Sequence, residues 1–98
     1  MQIPISTVAE LGLAIRAVRR HNAIRLDDLA ATAGVSKQFT SDTEYGKPTV
    51  QLGLVLKLLD ELGIRLLADI PQAAADELQA LHRQGGPRAK RAQSDAQP

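Results

Sequence analysis

The chain has 98 residues, 44% of them hydrophobic and 23% charged, with a formal net charge of +1 and no cysteine. This length and balance predict one soluble globular domain. The missing thiols exclude disulfides and thiolate metal sites, and no global field attracts polyanions: residues 1–71 carry eight Lys/Arg against eight Asp/Glu, and 72–98 carry four against three.

One Phe and one Tyr are the only aromatics, so the core has to be built from Leu, Ile, Val and Ala. Such a core is thin in a chain this short, which predicts a partner subunit. No apolar run approaches the ~20 residues of a membrane span. The start, MQIPISTVAE, lacks the basic residues and apolar stretch of a signal peptide, so a cytoplasmic location and no membrane partner are expected.

The first helix is predicted over about Ser6–Asn22. Ser6 or Thr7 can cap it, with Glu10 as the capping-box partner. Val8, Leu11, Ile15 and Val18 share one face, and Arg16, Arg19 and Arg20 gather at the end that favours cations. A short second helix starts at Asp27-Asp28, presents Leu29, Ala30 and Ala33, and stops at Gly34. Val35 points inward and Ser36 caps a third helix over Lys37–Tyr45, ended by Gly46.

A fourth helix is expected from about Val50, capped by Thr49 and ended by Gly63. Leu52, Val55, Leu56, Leu59 and Leu62 would line its core face, widened by Leu54 and Leu58. Ile64, Leu66, Ala68 and Ile70 then alternate with Arg65, Leu67 and Asp69, which is strand periodicity ended by Pro71. A lone strand needs a ladder partner. Either the same strand of a second subunit or Gln2–Ile5 could supply it, and Pro4 weakens the latter. Residues 72–98 are expected to be a flexible tail holding one marginal helix over 72–84, with Leu78 and Leu81 as its apolar residues. The boundary between domain and tail falls at 71/72.

Two short helices around a glycine turn form a helix-turn-helix. The N-terminal residues of its second helix can reach base edges in the major groove. Ser36, Lys37 and Gln38 stand there; Lys can donate to guanine O6 or N7, and Gln can pair bidentately with adenine. By spacing alone the same pattern occurs in plain helical bundles. His21 and His82 lack acidic or thiol neighbours at ligand spacing, and no nucleophile–base pair or phosphate-cradling glycine loop appears. No metal, cofactor or enzymatic activity is therefore expected.

The strings LGLAIRAVRRHNAIRLDDLAATAGVSKQF and SDTEYGKPTVQLGLVLKLLDELGI, with the strand after them, resemble the lambda-repressor-like (Cro/repressor, Xre-type) family, above all its HipB-like antitoxins. The resemblance implies an all-α helix-turn-helix bundle of four to five helices whose short C-terminal strand pairs across a homodimer through Ile64, Leu66, Ala68 and Ile70. It implies a nucleoid-associated repressor that binds a palindromic duplex operator, controls its own operon, and pairs with a HipA-like serine/threonine kinase toxin. It places base-reading on Lys37, Gln38, Ser41 and Asp42, phosphate contact on Ser36 and Lys47, and a structural ion pair on Arg19 and Glu44; the Asp42 carboxylate can accept from cytosine N4, help orient Lys37 or Gln38, or be a tolerated surface acid.

Arg25-Leu26 stands where the family commonly has Thr-Gln, so Arg25 is the replacement phosphate contact. Thr40 and Thr43 replace apolar residues, and each hydroxyl then needs a carbonyl one turn back. Tyr45 stands where a basic residue is frequent. A second reading stays open beside DNA-binding repression: an interaction module on a helix-turn-helix scaffold with little DNA affinity. The tail is either a passive solubilising end or a segment that folds on the toxin.

Overall fold

The computed structural model describes residues 1–85. Met1–Leu66 form one compact unit, and a second unit begins at Leu67. The first unit holds α1 (Val8–His21), α2 (Leu26–Ala33), α3 (Lys37–Glu44) and α4 (Leu52–Leu62). In the second, a 3-10 turn over Gln72–Ala74 leads into α5 (Ala75–Arg83). The expected flexible stretch beyond Gly85 lies outside the described residues.

Thr7, not Ser6, caps α1. Its hydroxyl accepts from the Glu10 N–H at 3.1 Å, and the Glu10 carboxylate accepts from the N–H groups of Ser6 and Thr7. The far end of α1 closes on Ala23, whose φ of 56° lies in the left-handed region. Backbone bonds from Ala23 to Arg20 and from Ile24 to Arg19 tie off the last carbonyls there. Gly34, at φ 75°, ends α2 in the same region, where a side chain is costly and glycine is not.

Ile15, Leu29, Val55, Leu58, Leu59 and Leu62 form the core. Leu11, Val18, Ile24, Ala33, Val35, Phe39, Val50 and Ile64 pack around it. In α4 the buried stripe is Val55, Leu58, Leu59 and Leu62, residues spaced three or four apart on one helical face. Leu52 and Leu56, expected inside, face outward at 60% and 43% exposure. This helix is apolar on two sides, and periodicity alone did not separate the face that packs from the face that does not. Thr49 is not its cap: the helix begins at Leu52, behind Gln51, with no side-chain cap.

Among the described residues there is no β-strand. Neither Gln2–Ile5 nor the alternating segment Ile64–Ile70 forms a strand. Ile64 is half-buried against the core, while Leu66, Ala68 and Ile70 are exposed.

Helix α1 lies very close to the end of α3. A Cβ built on Gly12 would stand 2.6 Å from the Glu44 carbonyl oxygen, and one on Gly46 would stand 2.8 Å from the Ala9 Cα. Both obstacles are backbone, which cannot rotate away. Gly12→Ala is therefore expected to destabilise the unit by about 1–3 kcal/mol through overpacking, despite alanine's better helix propensity. A urea titration of both proteins checks it, and an unchanged midpoint would contradict the close approach.

Candidate nucleic-acid interface

Helix α3 has two unlike faces. Thr40, Thr43 and Glu44 are buried. Lys37 and Gln38 are exposed, and Ser41 and Asp42, one turn further on, are half-exposed beside them. Ser36 caps the helix, its Oγ accepting from the Phe39 N–H at 2.9 Å, and its own hydroxyl hydrogen stays free to donate elsewhere. The buried hydroxyls are satisfied locally: Thr40 donates to the Ser36 carbonyl at 3.0 Å and Thr43 to the Phe39 carbonyl at 2.9 Å. Threonine can stand at these inward positions because each polar hydrogen finds a carbonyl one turn back. Phe39 is partly buried and packs against the core.

The outward residues are not independent. Gln38 Nε2 donates to Asp42 Oδ1 at 2.8 Å, and Lys47 Nζ lies 3.6 Å from Asp42 Oδ2. Lys47 follows the turn after α3, and its backbone N–H bonds the Asp42 carbonyl, which fixes the start of its side chain. Among the described residues Lys37 has no ion-pair partner. Ser36, Lys37, Gln38, Ser41, Asp42 and Lys47 thus belong to one helix and the turn behind it.

Arg25 belongs to a different end. It is the residue before α2, and its guanidinium donates to both oxygens of Asp27 at 3.2 Å. Those hydrogen bonds hold the Asp27 carboxyl below its usual range and raise the Arg25 guanidinium above its own. Because Asp27 gives up its proton more readily in the folded chain, the pair adds stability above the ordinary aspartate range. That contribution fades as acid protonates the carboxylate.

What presses α3 into place is Arg19 and Glu44. Arg19 Nε reaches Glu44 Oε2 at 2.6 Å and Nη2 reaches Oε1 at 2.9 Å, a two-point pair, while Nη1 donates to the Ile24 carbonyl. The hydrogen bonds to Glu44 raise the Arg19 guanidinium further above its ordinary value. Sequence reasoning missed a second contact at this junction. The Arg16 guanidinium lies 4.5 Å from the centre of the Tyr45 ring and reaches toward the Glu44 carbonyl at 3.4 Å. The available signal was Gly12 one turn before Arg16, a small residue that lets α3 come within reach.

No family model matches the chain. An HTH-type transcriptional regulator of Sinorhizobium fredii strain NGR234, y4mF, itself uncharacterised, is 48% identical over 59 residues, covering 60% of this chain and 78% of that protein. The chain belongs to the Xre-type helix-turn-helix family of transcriptional regulators. Members of this fold include HipB. A structure of a HipA–HipB–O2–O3 complex matches 71% of this chain and 100% of its own at a TM-score of 0.65 and 24% identity. HipB in a HipB–O4 20mer complex matches equally fully at 0.64. The likeness of this Xre-type regulator to HipB is one of fold.

Proposed function

We propose that this Xre-type regulator is a sequence-specific repressor that binds duplex DNA as a homodimer. The observation that carries the reading is the division of α3: one face is anchored by Thr40, Thr43 and the Arg19–Glu44 pair, and the other offers Lys37, Gln38, Ser41 and Asp42 together. In this reading Lys37 and Gln38 meet base edges, Ser41 supports them, and Ser36, Lys47 and Arg25 meet phosphates. Dimerisation supplies the missing ladder for Ile64–Ile70, covers Leu66, Ala68 and Ile70, and sets two copies of α3 one DNA turn apart, ~34 Å. The finer context is that of an antitoxin: the protein controls its own operon from a palindromic operator and binds a HipA-like serine/threonine kinase toxin, working in the cytoplasm on the nucleoid. The likeness to HipB, solved with HipA, supports that context.

A second reading, an interaction module with little DNA affinity, is favoured by one fact. Arg25 and Lys47 already face carboxylates of their own chain. The salt dependence of binding to the protein's own upstream region separates the two. Each phosphate neutralised contributes about −0.9 to the slope of log K against log salt, so a dimer using even one cation per subunit should show a slope steeper than about −1.5. A slope near zero, or no retarded band at low salt, would favour the interaction module. Co-purification with the product of a neighbouring kinase-like reading frame tests the antitoxin context.

A further inference from the structure

We propose that Asp42 is a positioning residue that fixes the side-chain amide of Gln38 in one orientation and so sets which base Gln38 accepts; this rests on the reading of α3 as the base-reading helix. A carboxylate can only accept hydrogen bonds. At 2.8 Å from Asp42 Oδ1, the Gln38 amide must therefore turn its NH₂ group toward Asp42. The second carboxylate oxygen lies 3.6 Å from Lys47 Nζ, an exposed ion pair on the side away from Gln38. The Asp42 side chain is 27% exposed, less than that of Lys47, and stands one helical turn after Gln38, where an i, i+4 pair of side chains meets.

The chemistry that remains on Gln38 is one N–H and the Oε1 acceptor, side by side. Adenine asks for that pair: its N6 amino group donates and its N7 accepts. Guanine presents two acceptors, O6 and N7, and needs two donors; Gln38 has only one left. In this proposal Asp42 acts through Gln38, and direct reading of a cytosine amino group by Asp42 is the alternative that the selection below separates from it. In Asp42→Asn the new side chain can donate as well as accept. The Gln38 amide can then turn over and present both N–H groups outward, the arrangement that suits guanine.

Wild type, Gln38→Ala and Asp42→Asn are each taken through selection from a pool of random-sequence duplexes. Gln38→Ala identifies the base pair that Gln38 reads. Duplexes of the wild-type site carrying adenine or guanine at that position are then titrated with each protein. Wild type should prefer adenine by about fivefold or more. Asp42→Asn should narrow that preference to within about twofold or reverse it, and keep the preferences at all other positions and the melting temperature. Asp42→Ala should narrow it as well, without the reversal. A general loss of stability would not move the preference at one base pair alone.

Unchanged adenine preference in Asp42→Asn overturns the proposal, and so does a changed preference at a different base pair, which would make Asp42 a direct reader. If wild type enriches no sequence at all, the reading of α3 fails and this proposal falls with it.

Discussion

Glu44→Ala is expected to remove about 3–5 kcal/mol of folding stability, a large share of what a domain of this size possesses. The side chain of Glu44 is 2% exposed and that of Arg19 12%. Alanine leaves a guanidinium in a nearly dry site with only the Ile24 carbonyl as acceptor. The cost comes from the stranded charge more than from the missing hydrogen bonds. Arg19→Met combined with Glu44→Leu removes both charges and should recover much of the stability, because paired hydrophobic residues of similar volume often replace a buried ion pair at little cost. Denaturant titrations of the two single variants and the double variant check this. A double variant as unstable as the sum of the singles would show that the pair's geometry, not its charge balance, holds α3 to α1.

Lys37→Ala with Gln38→Ala is expected to weaken specific DNA binding by about 1–3 kcal/mol for each base that is no longer read, bringing binding close to the non-specific level. The same variant should melt no lower than wild type. Both residues are exposed, and Lys37 occupies the first turn of α3, where the helix dipole disfavours a cation. Its removal favours folding by a few tenths of a kcal/mol, which offsets the similar small loss of the exposed Gln38–Asp42 hydrogen bond. Binding isotherms and thermal melts on one preparation give both readouts. Weaker binding together with a lower melting temperature would mean that these side chains support the fold and are not available to a ligand.

Helices were legible wherever the punctuation was chemical. Thr7-x-x-Glu10, Gly34, Ser36 and Gly63 mark ends by mechanisms that do not depend on the rest of the molecule. The end of α1 near Asn22 has no chemical marker in the sequence, because Ala23 carries no signal for the left-handed backbone it adopts. The choice between the two leucine faces of α4 was not legible, since both repeat with helical period and only packing against Ile15 and Leu29 decides which is buried.

The strand illustrates a different limit. Alternation at Ile64–Ile70 describes a segment suited to pairing, but pairing needs a second segment, and among the described residues none forms a strand. For the candidate interface, spacing found the outward face of α3, and resemblance, not spacing, named Arg19 and Glu44. Neither anticipated the Arg16–Tyr45 stack, which depends on the separation of α1 and α3 that Gly12 permits.

In the proposed complex two copies of α3 enter the major groove of one duplex together. Hydroxyl-radical footprinting of the wild-type protein on a duplex obtained by selection reads this directly. Two protected patches per strand are expected on one side of the duplex, about 10 bp apart, both absent in Lys37→Ala/Gln38→Ala. A single patch, protection that survives in that variant, or no protection at any protein concentration would contradict it.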